Sequence, residues 1–423
     1  MALFKSLIDK DGINHKAVEN DKDSSASFIN SLVSELRFIR QDRWLKALLI
    51  WLPIVLMTLL LSIFSAGLAS NLPVGIVDND HSVMSRSLVR YYDASATLEV
   101  KYSYASVSEA SNALRSNSIY AVAIIPKDLE KKTLLGESPQ VTVFYNSQFI
   151  LIGKLINAAF LKAQGTYVAS LETFKNLIST KGELDQAIGE AVPISTQITP
   201  LFNKNNHYGQ FLVSAGVPAM WQILIVATIV LSFSIKHHAF SRKKNARLSN
   251  WLSGFTPQSI VIKLLPYVFI FWAQGLLFLL VFYYVLGWPM QGSWLTLIFA
   301  QLLLVIACAS MATLFFFIAI DGARSMSLVA GITAPAFAFM GVTFPTSDMP
   351  LLAQVWRAFL PISHYIEVQG NEVNYGANFI TNVPHFLMLI SFVSYFFIAL
   401  WFIKTHQKKA LSVEQADADK VFL

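Results

Sequence analysis

Asp78, Asp80 and His81 stand within four residues of one another and carry oxygen and nitrogen donors that could hold a divalent cation. They follow the apolar run Pro73-Val74-Gly75-Ile76-Val77, however, and a turn after a strand uses aspartate and asparagine to bind its own backbone. No second cluster in the sequence completes a coordination shell. His237-His238 sit among basic residues at the end of an apolar run, and His364, with Glu367 nearby, could titrate. Tyr91, Tyr92, Tyr102 and Tyr104 could stack a planar ligand but fit half-buried positions better. No G-x-x-x-x-G-K-[ST] is present to cradle a phosphate, and neither G-x-S-x-G nor a zinc-helix histidine pair occurs. The expectation is a non-enzyme without cofactor or metal.

The elements that carry these residues are set by solvent. Of 423 residues 54% are hydrophobic and 14% charged, against about 25% charged in soluble chains. Six apolar stretches, 45–66, 211–235, 264–286, 294–320, 326–344 and 385–403, are long enough to span a ~30 Å hydrocarbon core. Arg37, Arg40, Arg43 and Lys46 precede the first. Lys236, Arg242, Lys243, Lys244, Arg247 and Lys263 lie between the second and third, Arg324 between the fourth and fifth, and Lys404, Lys408 and Lys409 after the sixth. The positive-inside rule then places both termini in the cytoplasm and residues 67–210 outside. The net charge of +6 reflects this orientation rather than nucleic-acid binding. Polar residues within the spans are neutral, among them Gln222, Gln274, Gln301 and Ser310, so no ion site for secondary coupling is visible.

Before the first span, residues 1–27 are mixed in charge and read as a mobile cytoplasmic segment. Phe28, Leu32, Leu36 and Ile39 then recur at helical spacing, so 28–44 reads as an amphipathic helix in the cytoplasmic headgroup region. The insertion alternates strands (Pro73–Val77, Leu98–Tyr104, Ile119–Ile125, Val141–Tyr145) with helices (Ser82–Tyr92, Ser108–Arg115), which predicts an α/β layer domain. Helical spacing from Phe149 to about Glu190 predicts a stalk returning to span two. Residues 211–403 hold the remaining spans with an outer helical hairpin at 345–384, and 404–423 form a cytoplasmic tail.

The loop at 236–263 is the candidate site. Arg247, Leu248, Trp251, Leu252 and Phe255 fall on a short helix ending near Gly254, and Thr256-Pro257 starts the next helix. An exposed tryptophan and phenylalanine rimmed by arginines would make a protein-docking knob.

These features resemble the permease subunits of ABC-2 type transporters, in the branch with a large extracytoplasmic domain between spans one and two. The resemblance rests on Arg247-Leu248-Ser249-Asn250-Trp251-Leu252-Ser253-Gly254-Phe255-Thr256-Pro257 and Lys263-Leu264-Leu265-Pro266-Tyr267. It rests also on Phe344-Pro345, Asp348-Met349-Pro350 and Leu360-Pro361-Ile362-Ser363-His364-Tyr365, and on the 74–80 and 123–129 segments. It implies a six-helix membrane protein in the bacterial inner membrane, with the inserted domain on the periplasmic side. The implied partners are two ABC ATPase subunits, a second permease copy or paralogue, the lipid bilayer and a periplasmic adaptor. The implied function is export of an amphipathic, hydrophobic or lipid-like cargo. The other reading is a membrane scaffold that presents its outer domain for envelope assembly or phage contact without transport.

Overall fold

Apolar residues every three to four positions, with no glycine or proline to interrupt them, produce helix α1 (Phe28–Gln41). It opens the computed structural model, which describes residues 28–65, 67, 70–179, 207–243, 247–342 and 344–421. The 1–27 segment and the 180–206 part of the expected stalk lie outside those residues. Only Asp42 separates α1 from α2 (Arg43–Ile63); its Oδ1 caps the new helix by accepting Leu45 N–H at 2.8 Å. A π turn at Ala47–Trp51 precedes Pro53, which cannot donate to the carbonyl four residues back. That carbonyl, Leu49 O, accepts the Nε2 of buried Gln274 instead.

The chain divides into two compact units, Met1–Ser65 with Leu201–Leu423, and Ala66–Pro200. The second unit runs β1 (Leu72–Asp78), α3 (Val83–Asp93), β2 (Leu98–Ser103), α4 (Val107–Arg115), β3 (Ala121–Ile125), α5 (Leu129–Leu134), β4 (Thr142–Tyr145) and α6 (Ile150–Ser179). Its sheet has the order β2-β1-β3-β4, with the first three strands parallel and β4 antiparallel. Val74 lies opposite both Val100 and Ala121. Helices cover both faces of the sheet, so β1 and β3 read as continuous apolar runs. Leu88 and Tyr92 of α3 and Ile156 and Phe160 of α6 cover one face, and Ala110 of α4 the other. Gly75 sits at a register shift where a Cβ would come within 2.6 Å of the Tyr104 ring, so a larger residue there would have to displace that ring.

The first unit continues with α7 (Tyr208–Ser241), α8 (Leu248–Ser253), α9 (Pro257–Val285), α10 (Trp294–Ala319), α11 (Gly322–Thr333) and α12 (Ala336–Phe339). It closes with α13 (Leu351–Ala358), α14 (Pro361–Gly370), α15 (Phe379–Ser391) and α16 (Val393–Val421). Among the described residues, five helical stretches are long and apolar enough to cross a membrane: α2, α7, α9, α10 and the α15–α16 run. The innermost are α7 and α10, with 83% and 72% of their most apolar stretch buried, against 17% for α2. Pro218 inside α7 frees Ser214 O, which accepts Gln369 Nε2 from α14 at 2.9 Å. Two prolines thus leave two carbonyls open, and two buried glutamines from other helices close them.

Three of the expected segments show internal structure. The 326–344 stretch is not one straight span: Pro335 has no N–H to give, α11 ends at Thr333, and only four helical residues follow. Twelve residues of α-helix reach about 18 Å, short of a ~30 Å core. The 345–384 segment holds two short helices: α13 is exposed, and α14 is buried from Pro361 to Ile366 and packs against α10. Residues 404–421 continue the last span as one helix, because no glycine or proline stops α16 before Val421.

Candidate functional site at the loop between the second and third spans

Thr256 caps α9 by accepting Ser259 N–H on its Oγ1 at 3.2 Å, with Pro257 at the first helical position where a missing N–H costs nothing. This turn fixes α8 against the bundle. The expected exposed knob is not there. Leu252 is 1% exposed and Trp251 and Phe255 are half-buried, because their apolar surface is covered by the protein's own helices. Trp251 packs on His237 at 4.8 Å and on Phe255 at 4.7 Å between ring centroids. Phe255 meets Phe317 of α10 at 5.0 Å and Phe233 of α7 at 6.0 Å. Arg247, Leu248, Asn250, Ser253, Gly254, Thr256, Pro257 and Gln258 form the outward side, which is mainly polar.

The C-terminal helix holds the other flank of α8. Glu414 of α16 accepts Ser249 Oγ at 2.6 Å and Ser249 N–H at 3.4 Å, and Ser249 is 3% exposed. Neither partner is an expected site residue. The uninterrupted run from Lys404 to Val421, free of glycine and proline, was the available signal.

The roots of the loop converge on a third element. Glu35 of α1 is 3% exposed and lies 2.5 Å from Lys236 Nζ at the end of α7 and 3.5 Å from Lys263 Nζ in α9. Tyr267 Oη donates to the same carboxylate at 2.9 Å. The lysines are also shielded by aromatic faces, Lys236 over Phe38 at 5.1 Å and Lys263 over Phe233 at 4.6 Å. Burial raises the Glu35 pKa, but the charges of Lys263 and Lys236 and the hydrogen bonds from Lys236 and Tyr267 outweigh it. The carboxyl is held below its ordinary value. Along α1, Ile39 is buried, Leu32 half-buried and Leu36 43% exposed, while Phe28 is its first residue. The helix therefore docks on α9 through Glu35 and Ile39 as well as offering Leu36 outward.

Gln222 and Gln301, like Gln274, bind helices to one another. Gln222 Oε1 accepts Ile362 N–H at the start of α14 at 2.8 Å, and Gln301 Nε2 reaches Gly275 O at 3.1 Å and Tyr365 Oη at 3.2 Å. Ser310 Oγ bonds Ile306 O within its own helix. A second buried carboxylate, Glu372, accepts Ser293 N–H and Asn382 Nδ2 at 2.7 Å each. Both buried carboxylates are taken up by protein partners at helix ends. Glu367 pairs with Arg357 at 2.5 Å rather than with His364, whose ring bonds Ala358 O.

The candidate cation ligands of the α/β unit are also engaged. Asp78 accepts Ser85 Oγ and the N–H groups of Asp80 and His81. Asp80 accepts Leu129 N–H at 2.9 Å and Glu130 N–H at 3.2 Å, capping α5 from 49 residues away. Among the described residues, no three histidine, cysteine, aspartate or glutamate side chains group to hold a metal.

A comparison with known families decides the class: the ABC-2 family transporter proteins match residues 43–402. The chain belongs to the ABC-2 transporter family. No curated protein matches it. ABC-2 permeases are membrane components that work with ATPase partners and are not ATPases themselves, in keeping with the apolar helices described above.

Proposed function

We propose that this ABC-2 protein is the permease of an exporter in the bacterial inner membrane, moving an amphipathic or hydrophobic cargo outward. Two separate ATPase subunits would dock on the outward side of the 247–258 loop in a complex with a second permease copy or paralogue. The observation that carries this reading is the convergence of α1, the loop roots and α16 on one region. Elements from before the first span, between the second and third, and after the last then share one side of the membrane. Shared sidedness requires an even number of crossings, and five straight helices supply an odd one. The broken α11–α12 stretch with the segment after it would be the sixth crossing. Basic residues crowd that side, so it is the cytoplasmic one and the α/β unit is periplasmic.

Arg247, Asn250, Ser253 and Gln258 are the surface on which an ATPase would press, with Trp251, Leu252 and Phe255 transmitting the push to α7 and α10. Closure of ATP-bound partners would shift the bundle between two arrangements by differential affinity. Vesicle transport assays with lipid-like dyes, run with and without the ATPase, test the export step. ATP-dependent movement supports it; equal movement without ATP removes it.

A further inference from the structure

The Glu35 cluster joins three places that are far apart in sequence. Lys236 and Lys263 are the two roots of the loop, and Glu35 is 201 residues from the first of them. One carboxylate, 3% exposed, faces two ammonium groups, and Lys263 is itself only 7% exposed. Such a group cannot swing to a new partner without losing its neutralisation inside low-dielectric surroundings. The helix that carries it continues into α2 after the single residue Asp42. Among the five apolar stretches α2 is the least buried, so it is held least by the rest of the bundle. Between α2 and the core is a small apolar gap lined by Met57 and Leu60 on one side and Val217, Met220, Trp221 and Phe278 on the other.

We propose that Glu35 is a positioning residue that locks α1 to both roots of the loop, so that the loop and α1 move as one piece. Movement of the loop is then delivered through α1 and Asp42 to α2, and changes how closely α2 packs across the gap beside it. The source of the force rests on the ATPase docking proposed above; the lock itself does not. Neutralising Glu35 leaves the outward side of α8 unchanged but separates the loop from α1.

The test uses full-length protein in lipid nanodiscs, with buried Cys308→Ala and spin labels on Ser34→Cys and Ser241→Cys, both exposed positions outside the 247–258 docking face. Pulsed electron spin resonance reads the distance between α1 and the first root of the loop, alone and with the ATPase and ATP. The lock predicts one narrow distance in the parent protein, unchanged by ATP. In Glu35→Gln it predicts at least a twofold broader distribution that shifts with ATP, while size-exclusion behaviour and ATPase capture stay within about twofold. Glu35→Lys alone broadens the distribution, and Glu35→Lys with Lys236→Glu restores it, an outcome that loss of folding cannot produce. Equal widths in parent and Glu35→Gln overturn the proposal, as does a parent distance that shifts with ATP as much as the variant's. If no ATPase binds, the ATP arms are flat in every variant; the docking proposal then fails, and the widths without nucleotide still decide the lock.

Discussion

Glu414 accepts the hydroxyl of Ser249 at 2.6 Å, tying the last turns of the C-terminal helix to the short helix of the loop. Ser249 is buried and Glu414 half-buried, so this charge-assisted bond contributes to holding α8, at about 1 kcal/mol after solvent screening. In Glu414→Gln, hydrogen exchange of the 248–253 amides should rise about fivefold, with little change in α10. Unchanged exchange would mean that α8 is held by Trp251 and Phe255 alone.

The two faces of the loop should respond differently to substitution. Trp251→Ala removes ring contacts with His237 and Phe255 and should cost about 2 kcal/mol, seen as a lower melting temperature. Asn250→Asp on the exposed face should leave the melting temperature within a degree or so. A stable Trp251→Ala protein would contradict the packing described.

Proline and glutamine should be energetically coupled. Gln274→Leu leaves Leu49 O open in the apolar interior and should cost about 1 kcal/mol. Pro53→Ala restores an internal donor for that carbonyl, so Gln274→Leu should cost less in its presence. Additive losses in a double-mutant cycle would show the pair to be independent.

Acid should release α1. Glu35 is held below the ordinary glutamate value of about 4.3, so its stabilisation is full above that value and is lost as pH falls through the depressed one. Burial, first, and the nearby Arg357 and His385 push His364 down to about 4, opposed by its bond to Ala358. The unfolded chain therefore takes up its proton first, near pH 6.5, and stability falls from there toward pH 4. Melting curves from pH 7 to 3 should show both losses. His364→Gln should flatten the upper one and Glu35→Gln the lower.

Asp80 caps α5 and should matter through that bond. Asp80→Ala should cost about 1 kcal/mol, while added divalent cation should not raise the melting temperature of the parent protein. A cation-dependent rise that Asp80→Ala abolishes would restore the metal reading.

Local patterns made much of this fold legible. Alternating apolar runs placed β1 to β4 within two residues of their observed ends, and the Ser108–Arg115 helical spacing matches α4, which Ser106 caps. What stayed hidden is set by contacts between distant segments. Glu35 reads as one charge on an amphipathic helix, and nothing local says that Lys236 and Lys263 will bury it. Trp251 and Phe255 read as an exposed knob because their cover, Phe233 and Phe317, comes from other helices. Pro335 stood in plain view, but an apolar run through it counts the same as an unbroken one. The short α5 was missed because its cap comes from Asp80 rather than from Asp128 beside it.

The most direct measurement is co-purification from nanodiscs with an ATP-hydrolysing subunit that carries a P-loop and an LSGGQ-type signature. Parent protein would be compared with Arg247→Glu and with Asn250→Asp/Ser253→Asp on the exposed face of the loop. Capture by the parent, lost at least tenfold in both variants while their melting temperatures hold, is the predicted result. No capture of such a subunit, or capture indifferent to these changes, would contradict docking at this loop.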